Sequence, residues 1–275
     1  MMKTFIVLTD FSQNAKHATE YAAQLALKRQ AHLKLVHIYE PPVPVSEAEI
    51  ATMYYQNMES RILKELEEEQ NKLISKYQSL SVSYSIYDQP LIEQIKQLFR
   101  PDEVKLIIIG LTGSGMNNFL FGSNTLNIVL NSGCPILTIP PYTSFRPIKN
   151  FLFAFHTNNT IPSSLPIKKL KKILTVFNAQ LYILQVDIPS KKTTERNKSA
   201  YEQIFQDVPH SFHIAHKKNI PAGIVNFVKT NQVDLLSIIP RKKDFWETLL
   251  GKNHTKSMLF HSDIPILSIP EKESE

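Results

Sequence analysis

The sequence predicts a doubly wound α/β fold built as two tandem domains, each with a five-stranded parallel sheet. Three observations carry this. Short apolar, β-rich runs alternate with amphipathic helical stretches, the order of a parallel sheet with crossover helices. The block Asn131-Ser132-Gly133-Cys134-Pro135-Ile136-Leu137-Thr138-Ile139-Pro140 recurs as His261-Ser262-Asp263-Ile264-Pro265-Ile266-Leu267-Ser268-Ile269-Pro270, identical at six of ten positions and offset by 130. The starts match as well: Lys3-Thr4-Phe5-Ile6-Val7-Leu8 lines up with Lys149-Asn150-Phe151-Leu152-Phe153-Ala154 at an offset of 146. Repeats of this length mark a duplicated structural unit. The expected domains are 1–143 and 147–275, joined by a proline-bearing linker at Pro140–Pro147.

In the first copy, Phe5–Thr9 is a short apolar run and reads as the first strand. Asn14–Arg29 places Ala15, Ala18, Ala22, Leu25 and Ala26 on one helical stripe. Leu33–Tyr39 is β-rich. Ser60–Tyr77 is a charged helix with Ile62, Leu63, Leu66, Leu73 and Ile74 on its apolar side. Val82–Tyr87 alternates as a strand, and Leu91–Phe99 is helical. Leu106–Ile109 is a continuous apolar run, as in a strand covered on both faces. Asn124–Leu130 is helical, and Ile136–Ile139 is a last strand stopped by Pro140-Pro141. Val104–Ile109 recurs as Asp234–Ile239, again at offset 130. The second copy is shorter inside, because the first carries extra chain near Pro41–Arg61.

Composition bounds the function. An apolar fraction of 43% with 20% charged residues is that of a globular protein. No apolar run approaches the ~20 residues of a membrane span, so no membrane partner is expected. The apolar run near the N-terminus is too short for a signal-peptide core. The single cysteine, Cys134, excludes an intrachain disulfide, and a cytoplasmic location is expected. The net charge of +6 is uneven: residues 1–145 hold 12 basic and 14 acidic side chains, residues 146–275 hold 19 and 11. Lys168-Lys169, Lys171-Lys172, Lys191-Lys192, Lys217-Lys218 and Arg241-Lys242-Lys243 supply much of the excess. No aromatic-basic interleaving or DNA-reading motif accompanies them. The expectation is solvated faces rather than a nucleic-acid surface.

The chemistry-bearing signal is a glycine cluster. The chain has seven glycines, and Gly110, Gly113, Gly115 and Gly122 fall within thirteen residues. They follow a buried strand and end in Gly122-Ser123-Asn124-Thr125, directly before a helix. Amides at a helix start point outward and favour an anion, so the loop reads as a phosphate site. It lies at the carboxyl end of a parallel strand, where open α/β sheets bind ligands. Neither G-x-x-x-x-G-K-[ST] nor a G-x-G-x-x-G after the first strand is present. The first strand instead ends in Thr9-Asp10-Phe11-Ser12. Asp10 at the strand tip can accept hydrogen bonds from an adenine amino group or ribose hydroxyls; equally, Asp10 or Ser12 can cap the next helix.

Other candidates carry blander readings. His37 lies on an apolar strand. His210, His213 and His216 would share a helix face, but their segment aligns with the third strand, which turns His213 away from the other two and argues against a metal. Cys134 has no histidine and base beside it and reads as a structural thiol. Trp246 reads as packing over the second copy's loop. No Ser-His-Asp order, paired carboxylate motif or metal-ligand spacing emerges, so no catalytic residue is expected, and hydrolysis of a bound phosphate ester at most slow.

Val7-Leu8-Thr9-Asp10-Phe11-Ser12, Val36-His37-Ile38, Gly110-Leu111-Thr112-Gly113 with Gly122-Ser123, and Cys134-Pro135-Ile136-Leu137 together resemble the universal stress protein family, over nearly the whole chain and as a tandem member. The resemblance implies the adenine nucleotide alpha hydrolase-like form of the fold, with the two copies paired as an internal pseudo-dimer and a further homodimer open to it. ATP-binding members share G-x2-G-x9-G-[ST]; here the spacing is G-x2-G-x8-G-S, one residue shorter. By the same resemblance, Leu8, Thr9 and Asp10 contact adenosine, and Ile38 offers backbone groups to adenine. Ile109, Gly110 and Gly113 line ribose and phosphates, and Gly122, Ser123 and Asn124 hold the phosphate tail. The implied ligand is ATP or another adenine nucleotide, with Mg2+ as an optional companion.

The second copy departs from the pattern. In the sequence match Asp10 corresponds to His156 and Gly110 to Pro240, and Gly251 alone of the glycine set is retained. That copy is expected not to bind ATP in the family's way, though Arg241-Lys242-Lys243 and Lys252 remain able to attract an anion. Two functions follow. One is a cytoplasmic stress-response sensor or scaffold that binds a nucleotide and an unknown protein partner. The other is an interaction protein without nucleotide, whose basic second half docks an acidic partner. An adenylate-transferring enzyme ranks behind both, for want of a catalytic constellation.

Overall fold

The computed structural model describes residues 3–39, 48–100, 104–111, 123–156, 164–186, 191–216, 220–239 and 264–271. By packing the chain divides into two compact units, Met1–Gly110 and Leu111–Glu275. In the first unit the order is β1 (Thr4–Leu8), α1 (Gln13–Arg29), β2 (His32–Ile38), α2 (Ala48–Lys76), β3 (Val82–Tyr87), α3 (Leu91–Leu98) and β4 (Val104–Gly110). Its strands are parallel, in the order β3-β2-β1-β4. β1 is therefore central, and the chain reverses its direction of winding between β1 and β4. That reversal is the switch point at which ligands enter open α/β sheets.

The second unit contains α4 (Ser123–Asn131), β5 (Ile136–Ile139), β6 (Asn150–His156), α5 (Ser164–Phe177), β7 (Gln180–Val186), α6 (Lys191–Ile204), β8 (His210–Ala215), α7 (Ile220–Thr230), β9 (Leu235–Ile238) and β10 (Ile266–Ser268). Its strand order is β5-β10-β9-β6-β7-β8. All neighbours are parallel except β5 and β10. The second copy thus has its five-stranded parallel sheet, β10-β9-β6-β7-β8. β5 and β10 are the two matched terminal blocks, and they pair with Leu137 opposite Leu267, Ile136 opposite Ser268 and Thr138 opposite Ile266. Each pairing maps onto its mirror when 130 is added or subtracted. This is the isologous arrangement of a two-fold interface, with its pivot at two leucines that are buried.

Hydrogen bonds repeat between the copies as closely as the sequence does. His32 N donates to Lys3 O and Gln180 N to Lys149 O, both at 2.8 Å; Leu80 N donates to Tyr77 O and Val208 N to Phe205 O, again at 2.8 Å. α1 ends on Gln30 at φ 50° and α5 on Asn178 at φ 48°. Each is closed by a crossed pair of bonds: Gln30 N to Leu27 O with Ala31 N to Ala26 O, and Asn178 N to Thr175 O with Ala179 N to Leu174 O. These are Schellman caps built without glycine, consistent with a glycine-poor chain.

α1 buries the expected alanine stripe, and the strands supply Phe5, Val7, Leu33, Leu35, Ile107 and Ile108 to the core. α2 begins at Ala48, twelve residues before the start read from the charge pattern. The chain between Pro44 and Pro90 has no glycine or proline to stop it, so helix propagates backward from the packed part. Ile62, Leu66 and Leu73 are buried as expected, whereas Leu63 and Ile74 are exposed. Among the described residues, no helix is long and apolar enough to cross a membrane.

Candidate functional site

The residues that sequence reasoning singled out at the strand ends come together at the carboxyl rim of the first unit. Leu8 pairs with Val36 on one side and with Ile109 on the other. Beyond Leu8 the chain turns sharply into α1. Thr9 N donates to Val36 O at 2.9 Å and closes the ladder with β2. Thr9 Oγ1 accepts from Phe11 N at 3.1 Å, and Asp10 Oδ1 accepts from Ser12 N at 3.0 Å. Ser12 is the N-cap of α1, its hydroxyl accepting from Ala15 N at 3.2 Å. Of the two roles open to this tip, capping therefore falls to Ser12. Asp10 ties the turn with one oxygen, and its exposed position leaves Oδ2 outside that bond.

Ile38 reaches the same rim by a particular route. In a parallel ladder, alternate residues present both peptide groups to the same neighbour. Val36 faces β1, so Ile38 does too. The next rung would run from Ile38 N to Thr9 O, and Thr9 O accepts from His37 Nδ1 at 2.8 Å. Because a carbonyl only accepts, His37 carries its proton on Nδ1, and Nε2 is an acceptor when the ring is neutral.

His37 and Phe11 form a contact that the sequence did not signal. Phe11 sits at φ 62°, a left-handed conformation costly for a bulky side chain. Its ring stacks on His37 with centroids 4.8 Å apart and planes at 17°, and Tyr39 lies 6.4 Å beyond His37. The Thr9 and Asp10 side-chain bonds hold the backbone in this turn, and the ring contact is worth about 0.5–1.5 kcal/mol. Three aromatic rings thus line the tip beside Asp10.

Gly110 has a packing reason of its own. A Cβ there would stand 2.5 Å from Asn14 O and 2.8 Å from Asn14 C, both backbone atoms of the first turn of α1. The end of β4 can approach the start of α1 closely only without a side chain. Ile109 is buried beside it. Ser123 and Asn124 open α4, as a helix following the glycine loop requires. Gly113 and Gly122, with Gly115 between them, lie outside the described residues, as do Pro240, Arg241–Lys243, Trp246, Gly251 and Lys252 of the second copy.

The second copy differs at the same rim. Val7 pairs with Ile108 and its counterpart Phe153 with Ser237. A register irregularity between Thr4 and Phe5 adds one residue to the first copy's pairing. By strand register the counterpart of Gly110 is therefore Ile239, one residue before the Pro240 given by the sequence match. Thr9 becomes Phe155, whose ring lies 4.5 Å from Tyr201 of α6 and 6.3 Å from Phe212. His37 becomes Gln185, fully buried and accepting from Asn197 Nδ2 at 3.2 Å. Phe155, Gln185, Asn197 and Tyr201 are all buried there.

The remaining candidates have local partners. His213 Nε2 lies 2.8 Å from Ser211 Oγ, with its ring against Tyr182 and Phe227. Burial lowers its pKa. His210 Nδ1 is 2.8 Å from Val208 O. Cys134 is fully buried, its Sγ 3.2 Å from Ser132 O. Among the described residues no group of three His, Cys, Asp or Glu is arranged to hold a metal ion.

The model of the universal stress protein family matches residues 1–140. Among solved structures, a universal stress protein from Archaeoglobus fulgidus DSM 4304 is 14% identical and is covered over 98% of both chains at a TM-score of 0.65. A functionally unknown protein from Pseudomonas aeruginosa PAO1, also 14% identical, is covered over 98% of this chain and 92% of that one at 0.52. The cytoplasmic domain of a prokaryotic cation chloride cotransporter, 10% identical, is covered over 100% and 98% at 0.56. At these identities the likeness is one of fold. No curated protein matches the sequence. With its family model spanning β1 to β5, the chain belongs to the universal stress protein family.

Proposed function

We propose that the first copy binds an adenine nucleotide, ATP foremost, at the carboxyl ends of β1, β2 and β4, and that the chain serves in the cytoplasm as a stress-response sensor or scaffold. The observation that carries this is the end of β2, where Ile38 is the next residue after Val36 to face β1 and β1 has already turned into α1 at Asp10. A backbone donor and acceptor side by side match the hydrogen-bonding edge of a purine. Asp10 stands next to it with a carboxylate oxygen outside its turn and suits ribose hydroxyls. The sequence pattern Gly110-x2-Gly113…Gly122-Ser123 supports a phosphate end. No metal cluster is needed in this reading: Mg2+ would arrive with the phosphates. Binding would act by shifting the affinity for a protein partner rather than by chemistry on the nucleotide.

In this reading the chain is a tandem member whose second copy holds no nucleotide, a reading supported by the buried Phe155, Tyr201 and Gln185–Asn197 pair in place of Thr9, Leu73 and the His37 contact. The basic surface of that half is then the part that meets an acidic partner. Isothermal titration of the full chain with ATP, with and without Mg2+, tests the proposal. Expected is one saturating site per chain, lost on Asp10→Ala. An absence of both heat and thermal shift at millimolar ATP would overturn it and leave the interaction-protein reading.

A further inference from the structure

Asp10 stands in a turn whose own bonds are local. Thr9 Oγ1 accepts from Phe11 N, and Asp10 Oδ1 accepts from Ser12 N, each across two residues. Bonds of that kind shape a turn but travel with it. The ties to the sheet come from β2. Thr9 N donates to Val36 O at 2.9 Å, and His37 Nδ1 donates to Thr9 O at 2.8 Å. Thr9 is thus held at both its N–H and its carbonyl by consecutive residues of β2. The second tie bears directly on Asp10, because Thr9 O and Asp10 N belong to one rigid peptide plane. Fixing that carbonyl fixes the direction in which Asp10 leaves the strand.

The same ring acts a second time. It stacks on Phe11 with centroids 4.8 Å apart and planes at 17°. Phe11 is left-handed at φ 62°, a conformation that a bulky residue seldom holds without support. One imidazole therefore grips the turn on either side of Asp10, by its Nδ1–H at residue 9 and by its face at residue 11. Asp10 between them is exposed. The second copy lacks the device. By strand register Thr9 corresponds to Phe155 and His37 to Gln185. Gln185 has no ring, is fully buried and accepts from Asn197 Nδ2 of α6 at 3.2 Å. Phe155 lacks the hydroxyl with which Thr9 closes its turn. The copy that has His156 in place of Asp10 has thus lost this histidine as well.

We propose, resting on the nucleotide reading of this rim, that His37 is the positioning residue of the site. It holds the Thr9–Asp10 peptide plane and the Phe11 ring, so that the Asp10 carboxylate is set for the ribose before the ligand arrives. Its part is to act through Asp10 rather than on the nucleotide. A ligand that meets a released tip must order it on binding, and fixing the backbone of a single residue is worth about tenfold in affinity. The donor and the ring are separable. The Nδ1–H sets the peptide plane, and the ring face supports Phe11.

Titration of the full chain with ATP, beside two variants, tests the proposal. His37→Phe keeps a ring on Phe11 and removes the donor to Thr9 O; its affinity falls about tenfold or more. His37→Asn puts an amide Nδ2 where the imidazole Nδ1 stands and gives up the ring. It recovers most of that loss, although for want of the stack it melts lower than His37→Phe. Affinity and melting temperature thus rank the two variants oppositely, which a merely structural histidine would not do. In the wild-type chain without ligand, nitrogen NMR in mildly alkaline solution finds the proton of His37 on Nδ1. Wild-type affinity in His37→Phe, affinities that follow the melting temperatures, or a proton on Nε2 would each overturn the positioning role and leave the nucleotide reading standing. No heat with ATP from the wild-type chain would instead overturn the nucleotide reading, and this role with it.

Discussion

Replacing Gly110 by alanine separates the two demands that meet at that residue. The added Cβ would lie 2.5 Å from Asn14 O. Carbon–oxygen contacts settle at about 3.3 Å, so the overlap is roughly 0.8 Å. The obstacle is backbone, in a helix turn pinned by Ser12 and by the Lys16 N to Ser12 O bond of 2.9 Å. Relief must come from tilting α1 or bending β4, whose Ile107, Ile108 and Ile109 are buried. Overpacking of this kind costs about 1–3 kcal/mol, and the stiffer unfolded chain returns about 0.4–1 kcal/mol. A net loss of about 1–2 kcal/mol lowers Tm by roughly 3–6 °C in a protein of this size. Differential scanning calorimetry reads the shift, and ATP titration of the same variant reads the site. A Tm equal to or above the wild type refutes the close approach of β4 to α1. A lowered Tm with unchanged ATP affinity assigns Gly110 to packing and takes it out of the nucleotide site.

Four further outcomes are expected. Asp10→Asn keeps an acceptor for Ser12 N, so urea unfolding is unchanged while ATP affinity falls; a stability loss instead would mean the charge serves the turn. Ser12→Ala removes the α1 cap and costs about 1 kcal/mol by the same measurement. Leu137→Ala and Leu267→Ala face each other across the β5–β10 seam, so each costs a similar amount, about 2–5 kcal/mol, and the double variant less than both together. Burial pushes the Glu20 carboxyl up, but Lys76 and Tyr77 outweigh it and leave it below its usual value. A lowered carboxyl stabilises the fold above the unfolded-state pKa and loses that as pH falls through the folded value. The stability gap between wild type and Glu20→Gln should therefore be full at neutral pH and close on acidification; a gap that widens in acid would contradict the Lys76 pairing.

The repeat, the α/β class and most element positions were legible because they rest on local regularities. The alternation of Phe5–Thr9 with the alanine stripe of α1 is a period, and the terminal blocks are a direct match. The start of α2 was missed although Ile50, Tyr54 and Met58 continue the four-residue spacing of Ile62 and Leu66 back toward it, because the charged run drew the boundary at Ser60. The exposure of Leu63 and Ile74 escaped for another reason: an apolar residue on a helix says nothing about whether a neighbour is there to cover it.

At the site, the sequence by itself determined the chemistry of the strand tips: an acid and a serine after β1, a glycine after β4, and their loss from the second copy. Tertiary structure decided the rest. It divided the tip between Ser12 as cap and Asp10 as turn, because only the fold fixes which oxygen reaches which amide. It put His37 Nδ1 on Thr9 O, a contact set by ladder register that no motif encodes. It gave Gly110 a neighbour in Asn14, ninety-six residues away in sequence, and it moved that residue's counterpart from Pro240 to Ile239 through a one-residue irregularity in pairing. Composition and spacing specify what a chain can bond. Which of those bonds form depends on what the crossover connections bring within three ångströms, and that is set only when the sheet closes.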